Sequence, residues 1–275
     1  MTPVDDGGSA SSMAHRGTNI KSIWAAGGFA VAVLTLSGCA MFNGGDDNSH
    51  QAGEGGESPS AGGSAGPKPS YTVPGDWTEP LRWAALPKGA RTDRYGSEVG
   101  FPHTELGAEA MLAAANNTAV EDSTSLVDEQ LSIFRPYISK DAQTEQNAER
   151  VELAAGQTDK ELHRKFGLKP GSDLPPGAYV RNTVIGFKGI AKADDEVSAW
   201  LLARVTEKAS ETAKESVTYT RTVVGIDWEN GDWKLSGTVT SRAMQETEGQ
   251  TRPQMVAPGD TAFNQAGWTA IREAS

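Results

Sequence analysis

The feature that most limits what this chain can fold into is residues 40–75, which carry almost no large apolar side chain after Phe42. Glycine, serine, proline and acidic residues dominate this stretch. Such a composition buries too little apolar surface to offset the entropy lost on ordering the chain. The sequence therefore predicts a disordered tether over residues 39–76 and a folded domain that begins at Trp77.

The residues before the tether have the layout of a secretory signal peptide. Arg16 and Lys21 form a basic region, and residues 23–36 form an apolar run that leads into small residues before Cys39. That run is shorter than the ~20 residues a membrane-spanning helix needs. We predict a signal peptide over residues 1–38. Two alternatives stay open, namely an uncleaved anchor with an incidental cysteine, and translation that starts at Met13.

The stretch Leu36-Ser37-Gly38-Cys39 resembles the lipobox of bacterial lipoproteins. The resemblance implies cleavage between Gly38 and Cys39 and attachment of diacylglycerol to the Cys39 thiol, the only thiol in the chain. Two acyl chains would hold a protein stably on a membrane, whereas one gives only marginal binding. The expected location is the extracytoplasmic face of the cell membrane, reached through a lipid anchor.

Charge and cysteine content narrow the function classes. The 275-residue chain has a formal net charge of −11, which disfavours general nucleic-acid binding because phosphate recognition needs basic patches. With Cys39 lipidated, no thiol remains for a disulfide framework or a thiolate metal site. We expect no nucleic-acid partner, no metal and no cofactor.

Periodicity places helices before strands. The first of three predicted helices opens at Thr104 as N-cap, the second starts near residues 123–125 and ends at Pro136, and the third runs from about Asp141 to Phe166. Gly167 is the expected residue just past the third helix. Thr158 and Glu161 form a capping-box pattern that would restart this helix within its length.

Four strands are predicted next, over residues 178–190, 197–206, 217–228 and 233–240. Asn230-Gly231 between apolar residues predicts a tight hairpin, because a type I′ turn needs positive φ at both central positions. The expected fold is α+β, with three N-terminal helices packed on a long curved antiparallel sheet of about four strands. The domain would span 77–240, and residues 241–275 would form a mostly loose tail with a last apolar hook.

Three helices followed by a long curved sheet are similar to the cone-shaped nuclear-transport-factor-2-like fold. The stretch 224–234 resembles a hairpin common in that superfamily, and residues 100–108 resemble uncharacterised actinobacterial proteins encoded near conjugation genes. These resemblances imply a relative of the cone-fold scaffold components of type IV secretion systems. Those relatives usually hang from a transmembrane helix, whereas this chain carries a lipobox.

Polar side chains offer few catalytic or metal-binding patterns. His103 is interpreted as a local cap or turn contact, His163 as a solvated residue on a charged helix, and residues 194–196 as a solvated hairpin turn. The histidines lack the spacing of metal ligands. The predicted cavity strands carry Tyr179, Arg181, Tyr219, Arg221 and Asp227 but no histidine, so we expect no catalytic residues and no enzyme activity.

Tryptophans on the predicted strands are the remaining signal. Trp200, Trp228 and Trp233 are either core residues or a candidate partner surface, since aromatic side chains concentrate at interfaces. We expect a membrane-anchored, non-catalytic interaction or scaffold module with a protein partner in the envelope, in an apparatus of the conjugation type. The alternative is a carrier of a small molecule or lipid, with a pocket between helices and sheet. Partner identity and oligomeric state stay undetermined.

Overall fold

The computed structural model describes residues 76–122 and 124–272. The predicted signal peptide, the lipidation site at Cys39 and the tether to residue 75 lie outside these ranges. The strands are β1 (Trp83–Ala85), β2 (Arg91–Thr92), β3 (Glu98–Val99), β4 (Thr118–Glu121), β5 (Tyr179–Lys192), β6 (Glu196–Lys208), β7 (Ser216–Glu229), β8 (Asp232–Leu235) and β9 (Thr269–Arg272). The helices are α1 (Glu105–Asn116), α2 (Leu126–Tyr137), α3 (Glu145–Phe166), α4 (Gly237–Glu246) and α5 (Thr261–Gln265).

The predicted α+β class with a mostly antiparallel sheet is confirmed. A seven-stranded sheet has the order β1-β9-β5-β6-β7-β8, and β4 also pairs with β5. β1 and β9 run parallel, while the other pairs in this sheet are antiparallel. The sheet is larger than the four predicted strands because β1, β4 and β9 have at most four residues each, too few to show a periodic pattern.

Local capping signals explain where the helices begin and end. The Thr104 hydroxyl accepts the Gly107 N–H at 3.1 Å, and Gly167 ends α3 with a φ of 70°. The predicted restart of the third helix at Thr158 is wrong. α3 continues through that position, where the Thr158 hydroxyl donates to the Ala154 carbonyl at 3.1 Å. The Thr158 side chain therefore bonds to the preceding turn of the same helix and does not cap a new one.

The predicted fourth strand is shorter than expected. β8 stops at Leu235, and the Ser236 hydroxyl then caps α4 by accepting the Val239 N–H at 3.4 Å. This helix lies directly on β7, where a Cβ added at Gly225 would be 2.5 Å from the Thr240 nitrogen. The missing side chain at Gly225 therefore leaves room for α4, which occupies residues that the alternating sequence pattern predicted to be strand.

Both faces of the sheet are covered. One face packs against α1 and α2 through a large cluster of buried residues that includes Met111, Leu112 and Phe134. The other face packs against the C-terminal segment through Phe263 and Trp268, which are 0% and 1% exposed. Residues 241–272, predicted to be mostly loose, thus contribute part of α4, all of α5 and β9, and the cover of one sheet face.

Candidate functional site

An open depression of about 730 Å³ lies where the turn between β5 and β6, the hairpin between β7 and β8, and the start of α3 come together. We call its rim the Trp228 surface, defined as the indole of Trp228 with the carboxylates of Asp141, Asp195, Asp227 and Glu229. Arg150 also lines the depression. The surface combines one partly exposed aromatic ring with mainly negative charge.

The hairpin that builds this surface follows the sequence closely. Asn230 and Gly231 take φ values of 54° and 84°, as the tight turn requires. The turn makes Trp228 and Trp233 a cross-strand pair whose ring centroids are 5.2 Å apart at an interplanar angle of 72°. Trp233 is only 1% exposed, and its indole N–H donates to the Pro102 carbonyl at 2.9 Å.

Asp232 fixes the segment that carries His103. Its carboxylate accepts the backbone N–H groups of Gly100 at 2.9 Å and Phe101 at 3.1 Å. Together with the bond from Trp233 to Pro102, these contacts attach residues 100–102 to the hairpin. The position of His103 is therefore set by residues far along the chain.

His103 bridges the hairpin and the neighbouring turn. Its imidazole stacks on the Trp228 ring, with centroids 4.0 Å apart and planes 11° from parallel. Its Nε2 atom lies 3.0 Å from the Asp194 carbonyl oxygen and 3.0 Å from an Asp195 carboxylate oxygen. The interpretation of His103 as a local cap or turn contact is wrong, because its partners in the turn lie 91 positions along the chain, and this contact links residues 100–103 to one side of the Trp228 surface.

Asp227 is a partly buried carboxylate at the surface. Its Oδ1 atom is buried and has no hydrogen-bond partner among the described residues. Burial raises the pKa of Asp227, a hydrogen bond with Ser236 lowers it, and the negative charges of Glu229 and Glu196 raise it further. Glu196, by contrast, is paired with Arg242. Carboxylates and a partly exposed indole that line the same depression favour binding of a cationic group.

The three predicted tryptophans do not form one surface. Trp228 lies at the depression, whereas Trp233 is buried behind it and cannot contact a partner. Trp200 projects from the opposite sheet face, packs in the cluster of Phe263 and Trp268, and has the Arg221 guanidinium 5.6 Å from its ring centroid. Trp200 and Trp228 are both partly exposed, but strand alternation places them on opposite faces of the sheet, so they cannot belong to one surface.

The residues of the predicted cavity strands are also dispersed. Tyr179 contacts Glu215, and Arg181 forms an ion pair with Glu121 at 2.6 Å. Arg221 bonds to the Pro253 carbonyl on the face that the C-terminal segment covers. Asp227 alone lines the depression.

The prediction that His163 is solvated is wrong. The residue is 3% exposed, and its Nδ1 and Nε2 atoms lie 2.8 Å and 2.7 Å from the carbonyl oxygens of Asp159 and Ser172. Burial lowers the pKa of His163, but these bonds and the Asp159 charge outweigh burial and leave the pKa raised. Carbonyl oxygens at both ring nitrogens favour the doubly protonated imidazolium, which ties the loop after α3 to the helix.

Sequence reasoning missed the partnership of His103 with the turn at residues 194–195. These groups lie 91 positions apart along the chain, and neither has a local motif. The described residues contain no group of three histidine, cysteine, aspartate or glutamate side chains placed to hold a metal ion. Within the same ranges, no helix is both long and apolar enough to cross a membrane.

Comparison with known proteins identifies no relative of this chain. No protein-family model, no curated protein and no solved structure matches this chain. The resemblances to lipoproteins and to the cone fold therefore stay predictions from the sequence. Arguments about function rest on the geometry of the Trp228 surface.

Proposed function

We propose that this protein is a membrane-anchored envelope lipoprotein, lipidated at Cys39, that acts as a non-catalytic interaction or scaffold module. Its domain would bind a protein partner at the Trp228 surface. The setting implied by the sequence resemblance is a conjugation apparatus similar to type IV secretion systems. The lipid anchor is inferred from the sequence, and the binding surface is inferred from the structure. Separate experiments test the two.

The single observation that carries the binding role is that the partly exposed indole of Trp228 and the four carboxylates of Asp141, Asp195, Asp227 and Glu229 line one open depression. A protein interface commonly centres on an aromatic residue in a pocket, with polar groups around it. The surrounding carboxylates of Asp141 and Glu229 add negative charge, which suits a partner segment rich in lysine or arginine.

The geometry around His103 supports a binding role over a catalytic one. The imidazole side chain is 41% exposed, and the Asp195 side chain, which lines the open depression, is 68% exposed. Catalytic electrostatics work best in a site that excludes water, where charges are poorly screened. The stacking of His103 on Trp228 also assigns the ring a structural contact.

One observation favours the carrier alternative. Gln130 on α2 is fully buried, and neither polar atom of its side chain has a hydrogen-bond partner among the described residues. A buried polar group without a partner is costly and suggests that a polar ligand or water bonds to it. Phe187 and Leu201, however, are each 1% exposed and belong to the core between the helices and the sheet, which leaves little room for a lipid-sized ligand.

The proposed function is tested by photo-crosslinking in the native cell. A photoreactive amino acid placed at Ser139, on the rim of the depression, should capture a protein partner. The yield of the crosslinked partner should fall at least tenfold when Asp141→Lys reverses a charge of the Trp228 surface. Glu152→Lys makes the same change on an exposed position of α3 and is the matched control, expected to leave the yield unchanged.

The anchor is tested in the same cells with Cys39→Ala. This variant should stay as the uncleaved precursor and lose its lipid label. A processed and lipid-labelled Cys39→Ala protein would contradict the lipoprotein assignment. Equal crosslinking in the Asp141→Lys and Glu152→Lys variants would contradict the binding surface.

The carrier alternative predicts a different result. Native mass spectrometry of the purified protein would show a bound small molecule or lipid, and Gln130→Leu would remove it. Crosslinking at Ser139 would then yield no protein adduct.

A further inference from the structure

Strand β7 has an outer edge that its neighbour β8 covers only in part. β7 pairs with β6 from Ser216 to Asp227 without a register shift. On its other side, β8 pairs only with residues 226–229. Within the described ranges, residues 216–224 therefore form an edge of the seven-stranded sheet. Unpaired strand edges are templates for adding another strand.

Hydrogen bonds at both ends of this region show which residues face outward. Trp228 donates its N–H toward the β6 side, to the Asp195 carbonyl at 2.8 Å. Gly225 faces the other way, because its N–H donates to the Thr240 hydroxyl at 2.8 Å and its carbonyl accepts the Ser236 N–H at 2.9 Å. Backbone direction alternates along an antiparallel ladder. The odd-numbered residues of β7 therefore direct their N–H and C=O groups outward.

The outward groups of Val217, Tyr219 and Val223 have no hydrogen-bond partner within residues 76–122 and 124–272. Most of the usual protections of an edge are missing from the stretch 217–223 of β7, in which Arg221 is the single charged residue. It contains no proline, lysine or acidic residue, and its pairing with β6 has no bulge. Natural edges that stay unpaired generally carry one of these features.

The sequence of this edge is nearly the same when read in either direction. Residues 217–223 read Val-Thr-Tyr-Thr-Arg-Thr-Val, with Thr220 at the centre. Antiparallel pairing of two copies about Thr220 would place valine opposite valine and threonine opposite threonine. Tyr219 would lie opposite Arg221 of the second copy. Cross-strand pairs between β-branched residues stabilise a sheet.

This pairing also satisfies the backbone. With the two-fold axis at Thr220, every outward-facing odd residue lies opposite an outward-facing odd residue, as hydrogen-bonded pairs of an antiparallel ladder require. We propose that two copies of this chain associate through their β7 edges, with an isologous interface centred on Thr220 that joins their sheets. The occupant of the edge is thus a second copy of the protein.

A disulfide scan tests the register. In a Cys39→Ser background the introduced cysteine is the only thiol of the full chain. Thr220 is an even-numbered residue, so two copies of it form a non-hydrogen-bonded pair with Cα atoms about 4.5 Å apart, within the range of a disulfide. Thr220→Cys should give a covalent dimer under mild oxidation, at least tenfold faster than Thr218→Cys or Thr222→Cys alone. Mixing the latter two variants should restore crosslinking, because residue 218 lies opposite residue 222.

The mass of the full chain in detergent tests the association itself. We expect twice the mass that one chain of the same preparation has under denaturing conditions. Val217→Pro removes an outward N–H at a position where an edge strand tolerates proline, and it should weaken the dimer at least tenfold. Val217→Thr keeps both the N–H and the branched side chain, and it should leave the dimer unchanged. Circular dichroism of each variant establishes that it is folded.

Three results would overturn the proposal. The first is a mass of one chain at all concentrations. The same mass would be found if an extended segment of another protein, and not a second copy, bound the β7 edge in cells, and this too would overturn the proposal. The second is equal crosslinking of Thr218→Cys, Thr220→Cys and Thr222→Cys. The third is a folded Val217→Pro variant whose dimer is as strong as that of the unmodified chain.

Discussion

The two faces of the sheet are covered in different ways. On one face, α1 and α2 supply a large apolar cluster, and both helices precede the long strands in the chain. On the other face, the C-terminal segment supplies a small cluster centred on Phe263 and Trp268, held by polar bonds between distant residues. The helical cover follows from local sequence patterns, whereas the C-terminal cover depends on contacts between residues far apart in the chain.

Polar contacts show how the C-terminal cover is attached. The Lys188 ammonium donates to the Ala266 carbonyl at 2.9 Å, and the Trp268 indole N–H donates to the Gln254 carbonyl at 2.7 Å. Asn264 bonds to backbone groups of Glu79 and Leu81, near the start of the described chain. The segment next to the predicted tether and the C-terminal segment therefore stabilise each other.

The largest expected effect is a loss of the C-terminal cover. Trp268→Ala should lower the free energy of unfolding by about 3–5 kcal/mol, because it removes a fully buried aromatic side chain. Leu112→Ala on the helical face should cost about 2–5 kcal/mol. Leu153→Ala, at a position that is 74% exposed, is the control and should change stability by less than about 0.5 kcal/mol. Urea unfolding of the full chain measures all three, and a Trp268→Ala cost equal to the control would show that the segment packs only loosely.

A methyl group at Gly225 tests the contact between α4 and β7. The added Cβ would lie 2.5 Å from the Thr240 nitrogen and 2.6 Å from the Val239 carbonyl carbon, so Gly225→Ala should cost about 1–3 kcal/mol. Gly189→Ala is the matched control on β5, because nothing lies within 4 Å of its added Cβ. Thermal unfolding compares the two variants. If they lose the same stability, α4 is free to shift away from the strand.

Glu109, on α1, makes the free energy of unfolding depend on pH. Burial and the charge of Glu105 raise its pKa to about 7, against a smaller lowering by Lys192. Between the unfolded value of 4.5 and about 7, the folded state binds more protons than the unfolded state, so this group reduces stability as pH rises through that window. Glu109→Gln should stabilise the protein at pH 8 by about 1–2 kcal/mol after solvent screening, and little at pH 4. Urea unfolding at both pH values, with Glu152→Gln as exposed control, measures the difference, and equal effects at both would contradict the raised pKa.

His163 also lowers stability as pH rises, but over a higher pH range and with a smaller effect. Its pKa is raised in the folded state, so its stabilisation is complete below the unfolded value of 6.5 and is lost as pH rises through the folded value. His163→Gln should therefore cost about 1 kcal/mol at pH 5.5 and less at pH 9. NMR titration of the imidazole in the folded protein checks the direction independently. An imidazole that titrates below 6.5 would contradict the assignment.

Some features of this structure can be predicted from the sequence, and others cannot. The Thr104 cap, the Gly167 terminus and the Asn230-Gly231 turn are single-residue signals with local physical causes, and the structure confirms them. The candidate site was only partly foreseen. Trp228 was identified from its strand position, but the contacts of His103 with Trp228 and Asp195 join distant residues and leave no mark in the sequence.

The sequence by itself determined the α+β class, the main helices and strands, and the hairpin that presents Trp228. Periodicity, capping residues and turn residues act within a few positions, so they can be read along the chain. Only the tertiary structure decided that Trp233 is buried, that His163 is enclosed between two carbonyl oxygens, and that the C-terminal segment covers a sheet face. Each of these outcomes depends on which distant groups meet in the folded chain, and short polar or isolated apolar segments give no local indication of their partners.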